Sequence, residues 1–324
     1  MLNRMKKGLA VVSMAGLMLW SAGAAALPYS SLVIFGDSLA DSGNNAILLG
    51  ATQPVPVSGA EAPTFPYASN TYSNGAVWTQ YLAGSLGLSA TPSLAGGSNY
   101  AFGGARSGYA TAGQPPGMLD QLGMYLSDSK GLASANALYV IEGGGNDARD
   151  VLDAVMHGID PMSLIVGYAG NIASMLSQLH AAGAEHFLVW NVPNIGLSPL
   201  VVQAGGSQAA SYFAALMNQA LVSVLAMLDT EITDGLRLYD AYGGLNDIVA
   251  NANAHGFTNV SDQCAMDIAC INDPSGYVFW DGLHPTTAAH AAMARQALAE
   301  LPEPASLLLV LVAGLALTAS RRRA

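Results

Sequence analysis

Charged residues are scarce in this chain: they make up 10% of its 324 residues, whereas hydrophobic residues make up 52%. No polar tract interrupts the sequence, which argues against disorder and leaves enough apolar material for one large core or two modest ones. Six of the 11 basic residues lie in two terminal clusters, Arg4 to Lys7 and Arg321 to Arg323, and setting them aside leaves 5 basic against 22 acidic residues. A body with a balance of −17 repels phosphate backbones and anionic bilayers, so nucleic acid is not an expected partner.

Cysteine is limited to two residues, Cys264 and Cys270, in the segment Cys-Ala-Met-Asp-Ile-Ala-Cys. No His-Cys pattern nearby supports zinc, and no metal site is predicted. In an oxidising compartment the two cysteines would form a disulfide that closes a short loop, whereas in a reducing one they would remain free thiols. The choice therefore depends on whether the chain is exported.

The N-terminus has the three parts of a secretory signal peptide. A basic region, Arg4 to Lys7, precedes an apolar run from Leu9 to about Trp20, and Ala24 to Ala26 supply small residues for cleavage. An N-terminal membrane anchor is the alternative, but the apolar run is short for that role. The pattern predicts a signal peptide over residues 1–26, export, and oxidation of the cysteine pair.

The C-terminus has a different pattern: Pro302-Glu303-Pro304, an apolar run from Ala305 to Ala319, and a triple arginine. As a transmembrane helix the 15-residue run would span about 22 Å, which is less than the hydrocarbon core of about 30 Å. The arginines would stay on the cytoplasmic side. A processed segment or a plain tail anchor in the periplasm would both fit this pattern.

Residues 302–324 resemble the PEP-CTERM sorting signal of Gram-negative bacteria, in which Pro-Glu-Pro precedes a short membrane helix and a basic tip. The resemblance implies processing by an exosortase-type enzyme after transient insertion in the inner membrane. The mature protein would then be released to, or attached at, the cell surface or extracellular matrix.

Residues 27–301 between these ends predict a single domain. Short apolar segments alternate with longer helical patterns, which is typical of a parallel sheet covered on both faces. The predicted strands are Leu32–Phe35, Tyr100–Phe102, Ala137–Ile141, Phe187–Trp190 and Leu236–Tyr239. Predicted helices cover Ser163–Ala182, Ser211–Leu228 and Pro285–Leu298. Residues 51–66 are rich in Pro, Gly, Ala and Thr and predict a long surface loop.

Ser38 is a candidate nucleophile because it follows the first predicted strand in Gly-Asp-Ser-Leu and is expected to enter a helix. Free backbone N–H groups at a helix start stabilise negative charge, so the Ser38 hydroxyl could attack while its own N–H joins an oxyanion hole. Taken alone, Ser38 or Asp37 could equally be a helix cap.

Two further segments could donate hydrogen bonds to an oxyanion. Gly103 and Gly104 follow the second predicted strand, and paired glycines let the backbone approach a ligand closely. Asn146 follows the third strand in Gly-Gly-Asn-Asp, and its amide could donate a third bond. Each segment, in isolation, also fits an ordinary turn.

His284 is the candidate general base. Asp281, three residues before it in Asp-Gly-Leu-His-Pro, could fix the imidazole tautomer and stabilise the imidazolium. The other five histidines have no such neighbour and are interpreted as surface or capping residues.

The four segments together, in this order, resemble conserved blocks of the SGNH/GDSL hydrolase family, over about residues 31–298. The resemblance implies a three-layer α/β/α sandwich with a flavodoxin-like parallel sheet, a catalytic set of Ser38, Asp281 and His284, and an oxyanion hole of Ser38, Gly104 and Asn146. Gly103 is the alternative to Gly104. Phe65-Pro66-Tyr67, Ser73–Trp78 and Val192–Gly196 are similar to the lipase-like branch. Asn70-Thr71-Tyr72 departs from that branch, which often has Gly-Arg-Phe there, and this leaves the leaving-group preference open.

The sequence thus predicts an exported esterase or lipase that needs no metal and no cofactor and forms an acyl-enzyme on Ser38. Lipids, short acyl esters and acylated glycans all remain possible substrates. A polysaccharide O-acetylesterase, an acyltransferase and a non-catalytic surface binding protein of the same fold are the alternatives.

Overall fold

The computed structural model describes residues 29–302 except 51–54, 58–59, 66 and 68, and only the backbone of 55–57 and 60–65. The predicted signal peptide, and the predicted sorting segment after Pro302, lie outside the described residues. Within the described part, none of the helices is long and apolar enough to cross a membrane.

Strands and helices alternate along most of the described chain. The strands are β1 (Ser31–Phe35), β2 (Val55–Val57), β3 (Ala60–Phe65), β4 (Ala137–Ile141), β5 (His186–Trp190), β6 (Leu236–Tyr239), β7 (Asn259–Gln263) and β8 (Tyr277–Phe279). The α-helices are α1 (Asn44–Leu48), α2 (Trp78–Ser85), α3 (Met118–Asp128), α4 (Gly145–Met156), α5 (Met162–Ala181), α6 (Pro199–Gln203), α7 (Ser207–Leu225), α8 (Thr230–Gly235), α9 (Ala241–Ala250), α10 (Ile268–Asn272) and α11 (Thr287–Ala299). The three predicted helices correspond to α5, α7 and α11.

The central sheet is parallel, with the strand order β1-β4-β5-β6. β1, β4 and β5 are almost entirely buried, which explains why they are continuous apolar runs rather than alternating ones, whereas the edge strand β6 is buried only at Tyr239. Four of the five predicted strands are these four strands. The first three pair in simple register, with Val33 opposite Tyr139 and Tyr139 opposite Phe187.

The fifth predicted strand, Tyr100–Phe102, is only an irregular extended segment. It pairs with β1 through a single parallel bridge between Ile34 and Asn99, and the Tyr100 N–H donates to the Ile34 carbonyl at 2.7 Å. This segment extends the sheet on the far side of β1, which gives the flavodoxin-like order 2-1-3-4-5. The chain therefore leaves β1 first toward one edge and later toward the other, which makes the carboxyl end of β1 the topological switch point.

Helices cover both faces of the sheet, which makes a three-layer α/β/α sandwich. Alternate strand residues point to opposite faces: Val33 and Phe35 belong to one hydrophobic cluster, Leu32 and Ile34 to the other. The first cluster is completed by α3, α4, α5, α7 and α8, and the second by α2, α9 and α11. The fold class predicted from the sequence is confirmed.

Residues 51–66 differ from the prediction of a plain surface loop, because they contain the antiparallel pair β2 and β3. Because Pro and Gly are typical of loops, the composition of the segment did not indicate these short strands. The predicted disulfide is confirmed: Cys264 and Cys270 are bonded, with Cα atoms 5.2 Å apart.

Candidate active site

Ser38, His284 and Asp281 lie together at the carboxyl edge of the sheet. His284 Nε2 is 2.9 Å from Ser38 Oγ, and His284 Nδ1 is 2.7 Å from Asp281 Oδ2. A proton on Nδ1 is donated to the carboxylate, and Nε2 is then free to accept the serine proton. The sequence placed 246 positions between Ser38 and His284, and the fold brings them into hydrogen-bond contact.

The loop from Asp281 to His284 is held by hydrogen bonds to the Asp281 side chain and to its own backbone. Asp281 Oδ1 accepts the N–H groups of Leu283 at 2.8 Å and His284 at 2.7 Å, and the Trp280 N–H donates to the His284 carbonyl at 2.8 Å. Thr286 then caps α11 by accepting the Ala289 N–H. The spacing of three residues therefore lets one carboxylate shape the turn and orient the imidazole that the turn carries.

Asp281 is completely buried, and burial by itself would raise the pKa of its carboxyl group. The neighbouring His284, hydrogen bonds from His284 and Tyr67, and the Leu283 N–H outweigh burial and hold the pKa of Asp281 below its ordinary value. The carboxylate thus stays ionised beside the base. Tyr67 thus helps to keep Asp281 ionised. Its position in Phe-Pro-Tyr matched the family pattern, but that match did not indicate this role.

Ser38 does not enter a helix directly, contrary to the prediction. It lies in a turn in which the Ala40 and Asp41 N–H groups donate to the Asp37 carbonyl, and α1 begins only at Asn44. The physical reason is Asp41, whose carboxylate accepts the N–H groups of Gly43 and Asn44 and so starts the helix there. The hydroxyl of Ser38 is nonetheless presented at the strand end.

Gly104 and Asn146 line the same cavity as Ser38. Gly104 has a φ of 85°, which lies in the region that favours glycine, and Asn146 is the second residue of α4. Asn146 Nδ2 donates to the Ala105 carbonyl at 2.9 Å, and its second amide hydrogen remains for another acceptor. The N–H of Gly103 is already bonded to Asp41 Oδ2 at 3.0 Å, which favours Gly104 over Gly103 as the donor to an oxyanion.

Two further buried carboxyl groups, those of Asp37 and Glu142, lie beneath the Ser38 turn. Glu142 Oε2 accepts the Asp37 N–H at 3.3 Å. Burial raises the pKa of Asp37 to about 6, and burial together with the charge of Asp37 raises the pKa of Glu142 well above its ordinary value. Sequence analysis placed neither residue in the site, although both belong to the blocks that carry Ser38 and Asn146.

The cavity that Ser38 and His284 line has a volume of about 560 Å³. Its walls differ in chemistry. Its apolar lining residues are Leu39, Pro115, Pro193, Ile195, Leu245, Phe279, Leu283, Pro285 and Met293. Its charged or amide-bearing ones, besides His284, are Asp37, Arg106, Gln114, Asn146 and Arg149. The two arginines were missed in the sequence, and their closeness to Gly104 and Asn146 is the signal that could have revealed them. These two arginines line the cavity, although the arginine that the lipase-like branch often has in Gly-Arg-Phe is absent from Asn70-Thr71-Tyr72.

No group of three or more His, Cys, Asp or Glu side chains that could hold a metal ion occurs within the described residues. The arrangement can instead perform nucleophilic acyl transfer: a serine, a base with an orienting carboxylate, and donors for an oxyanion beside a cavity.

The chain is similar to known proteins. Residues 32–297 match the family model described as GDSL-like Lipase/Acylhydrolase. A GDSL esterase/lipase of Arabidopsis thaliana is 28% identical over 315 residues, which cover 80% of this chain and 82% of the relative. The thermolabile hemolysin of Vibrio parahaemolyticus is 27% identical over 305 residues, covering 86% of this chain and 66% of the hemolysin. Among solved structures, a carbohydrate acetylesterase from Sinorhizobium meliloti aligns at a TM-score of 0.46 and 15% identity, covering 83% of this chain and 96% of that one.

Proposed function

The chain belongs to the GDSL-like lipase/acylhydrolase family and is a carboxylic ester hydrolase, and we propose that it acts through an acyl-enzyme formed on Ser38. The observation that carries this proposal is the continuous hydrogen-bonded series from Ser38 Oγ to His284 Nε2 at 2.9 Å and from His284 Nδ1 to Asp281 Oδ2 at 2.7 Å. Each member is at least nine-tenths buried, so water does not weaken these bonds.

In the first half of the reaction, Ser38 Oγ attacks the ester carbonyl carbon and its proton passes to His284 Nε2. The negative charge on the former carbonyl oxygen is stabilised by the N–H groups of Ser38 and Gly104 and by the Asn146 amide. The carbon–alkoxy bond then breaks, and the leaving alcohol takes the proton from His284.

In the second half, water replaces the alcohol. His284 accepts a proton from the water as its oxygen attacks the acyl carbon, and the same proton returns to Ser38 Oγ when the acid leaves. Asp281 stabilises the imidazolium that exists in both halves and does not itself take the proton.

The apolar wall of the cavity favours esters with a hydrocarbon acyl group. Nine apolar side chains and a volume of about 560 Å³ provide room for more than an acetyl group. A series of 4-nitrophenyl esters from acetyl to palmitoyl measures this preference directly, and we expect kcat/KM to be higher for an acyl chain longer than acetyl.

Replacement of the nucleophile tests the mechanism. Ser38→Ala should lower ester hydrolysis by about 10³-fold or more, because the members of such a set act as a unit, and should abolish labelling by a fluorophosphonate probe. Ser177→Ala, an exposed serine on α5, is the control and should keep both. Undiminished turnover in folded Ser38→Ala protein would refute the acyl-enzyme.

Export is also part of the proposal. The disulfide between Cys264 and Cys270 supports an oxidising compartment, such as the periplasm or cell surface of a Gram-negative bacterium. We infer that the N-terminal 26 residues are removed and that an exosortase-type enzyme processes the chain after about Pro304. The intact mass of the mature protein from its native host tests this, and a mass that still includes Arg321 to Arg323 would reject processing.

A further inference from the structure

The proposed oxyanion donors come from two separate elements. Gly104 lies in an irregular loop, residues 103–107, and Asn146 lies on α4. An oxyanion hole requires its donors to be fixed to within about 0.5 Å of the productive geometry. The loop has no ladder of backbone hydrogen bonds. Among the described residues, its backbone bonds to other backbone groups only through the Ala105 N–H to Phe102 at 3.1 Å and through the Met118 N–H to the Arg106 carbonyl at 2.8 Å, so side chains provide most of what fixes it.

Three side chains from the first turns of α4 hold this loop. Asn146 donates to the Ala105 carbonyl at 2.9 Å, and Asp147 accepts the Ser107 hydroxyl at 2.6 Å and its N–H at 3.1 Å. Asp150, one turn further along α4, accepts two parallel bonds from Arg106, from Nε and from Nη2, both at 2.8 Å. The loop and the helix are thereby joined at three successive loop residues.

Arg106 differs from Ala105 and Ser107 because its side chain bonds both to α4 and to the backbone of the loop itself. While two of its nitrogens bind Asp150, Nη1 donates to the carbonyl of Gly104 at 3.0 Å. On the other side of Gly104, the preceding peptide is fixed by Asn45, whose Nδ2 donates to the Gly103 carbonyl at 2.8 Å. The N–H of Gly104 belongs to that same planar peptide. Asn45 therefore holds the peptide that carries the Gly104 N–H, and Arg106 holds the peptide that follows it, so Gly104 is fixed between the two.

The Arg106–Asp150 ion pair contributes little to stability but has a strict geometry, and this contrast indicates its role. The side chains are 39% and 40% exposed, and an ion pair in such a setting contributes about 1 kcal/mol or less to stability. A bidentate pair nevertheless has strict geometry, since the planar guanidinium fits a carboxylate in one orientation. The pair is thus poorly suited to stabilise the fold and well suited to fix the position of the group that Arg106 holds.

We propose that Arg106, anchored by Asp150, is a positioning residue that fixes Gly104 relative to Asn146 and so assembles the oxyanion hole. This inference rests on the proposed acyl-enzyme mechanism. Loss of the anchor moves the Gly104 N–H away from the developing charge, and because that charge exists only in the transition state, kcat falls while KM changes little.

The alternative role of Arg106 is direct contact with substrate, because Arg106 lines the catalytic cavity. Asp150 separates the two roles, since it is not among the residues that line that cavity. If Arg106 bound substrate directly, Arg106→Gln would raise KM, whereas Asp150→Asn, which keeps the arginine, would have a much smaller effect. If Arg106 acts as an anchored positioning residue, Asp150→Asn and Arg106→Gln should have the same effect on kcat.

The experiment is a double-mutant cycle on the full chain with 4-nitrophenyl butyrate. Loss of a whole oxyanion donor costs about 10²–10³-fold in kcat, so displacement of one should cost about 10- to 100-fold in Asp150→Asn and in Arg106→Gln. The double variant should be no worse than either single variant, because both remove the same constraint. Thermal midpoints should stay close to the wild type. Asp150→Glu, which keeps the charge, should recover part of the rate.

A second measurement separates positioning from a general structural effect. The affinity for a boronic acid, whose tetrahedral adduct on Ser38 carries the negative charge, should fall in both variants in parallel with kcat. Arg237→Gln is the matched control, because Arg237 also donates to backbone carbonyls, those of Asp234 and Leu236, but does not line the cavity.

Additive losses, or a change confined to KM, would overturn the inference and leave the acyl-enzyme intact. Failure of the underlying mechanism would look different: the wild type would hydrolyse no ester, or Ser38→Ala would keep its activity.

Discussion

The phenol of Tyr67 donates a hydrogen bond of 2.6 Å to Asp281 Oδ2, although 214 positions of sequence separate the two residues. The same carboxylate oxygen accepts His284 Nδ1 at 2.7 Å. Both Tyr67 and Asp281 are buried, and burial, followed by the charge of Asp281 and the hydrogen bond to it, raises the pKa of Tyr67, so the phenol stays a donor. Hydrogen bonds to an ionised group in such surroundings are strong. Tyr67 therefore fixes the group that orients the base.

Replacing Tyr67 by Phe should lower kcat by about 10-fold with little change in KM, because a hydrogen bond to a charged group contributes about 1.5–3 kcal/mol. Steady-state kinetics on a 4-nitrophenyl ester measure the effect. Tyr125→Phe is the control, since it removes a buried tyrosine–tyrosine hydrogen bond of 3.0 Å to Tyr139. Equal kcat values in the two variants would mean that Tyr67 has no part in orienting Asp281.

Local sequence patterns predicted most of the sheet, because each buried parallel strand is a short apolar run. The irregular segment at Tyr100 was overestimated as a strand, since its apolar residues pack against β1 while it makes only one bridge. The positions of Ser38, Asp281 and His284 followed from blocks with fixed local spacing. Tyr67 could not be placed on Asp281 in this way, because their contact depends on how the whole chain is packed.

The partners of Arg106 and Glu142 illustrate the same limit. Arg106 lies two residues after Gly104, yet its anchor Asp150 is 44 positions away, and Glu142 contacts Asp37 across 105 positions. A single sequence contains the residue types but not these long-range pairs. The start of α1 was misplaced for a local reason: several Asp and Ser residues near Ser38 could accept the first N–H groups of a helix, and only the structure shows that the Asp41 carboxylate does so.

Removal of the Asn146 amide should reduce catalysis without disturbing substrate binding. Asn146→Ala should lower kcat by about 10²–10³-fold, which is typical for loss of one oxyanion donor. Asn146→Asp should be at least as damaging, because an ionised carboxylate cannot donate and would repel the oxyanion. Measurement of kcat and KM separately decides this, and a loss that appears only in KM would assign Asn146 to ground-state binding instead.

The disulfide should stabilise the catalytic loop. It closes a loop of six residue steps, and for so short a loop chain entropy gives a stabilisation of about 2 kcal/mol. The Ala265 N–H, between the two cysteines, donates to the Trp280 carbonyl at 2.8 Å, directly before Asp281. The double variant Cys264→Ser/Cys270→Ser should therefore lose about 4–8 °C in thermal midpoint and lose activity at lower temperature than the wild type. Identical midpoints under oxidising conditions would show that the bond contributes nothing.

His290 on α11 provides a prediction about acid stability. It is completely buried, so its interpretation from the sequence as a surface or capping residue was wrong, and neither ring nitrogen has a hydrogen-bond partner among the described residues. Burial, with a smaller contribution from His284, lowers the pKa of His290 to about 3, whereas an unfolded histidine titrates near 6.5. Between these values the unfolded chain binds a proton that the folded chain does not. The stabilisation linked to neutral His290 is therefore complete above about pH 6.5 and is lost as pH falls, by about 1.4 kcal/mol per pH unit.

His290→Leu should make the free energy of unfolding less sensitive to acid. Leucine has a similar volume, does not titrate and leaves no buried nitrogen without a partner, so stability at pH 7 should be retained or rise by about 1 kcal/mol. Urea denaturation at pH 7, 6 and 5 should show that the free energy of unfolding of the variant exceeds that of the wild type by about 1–2 kcal/mol more at pH 5 than at pH 7.

Asp37 and Asp41, whose pKa values are raised to about 6, titrate in both proteins, so their contribution cancels in this difference. His157→Gln, at an exposed site, should follow the wild type. Parallel pH profiles for His290→Leu and wild type would mean that His290 is already protonated in the folded protein or has acquired a partner, such as a buried water, that keeps its pKa near the ordinary value.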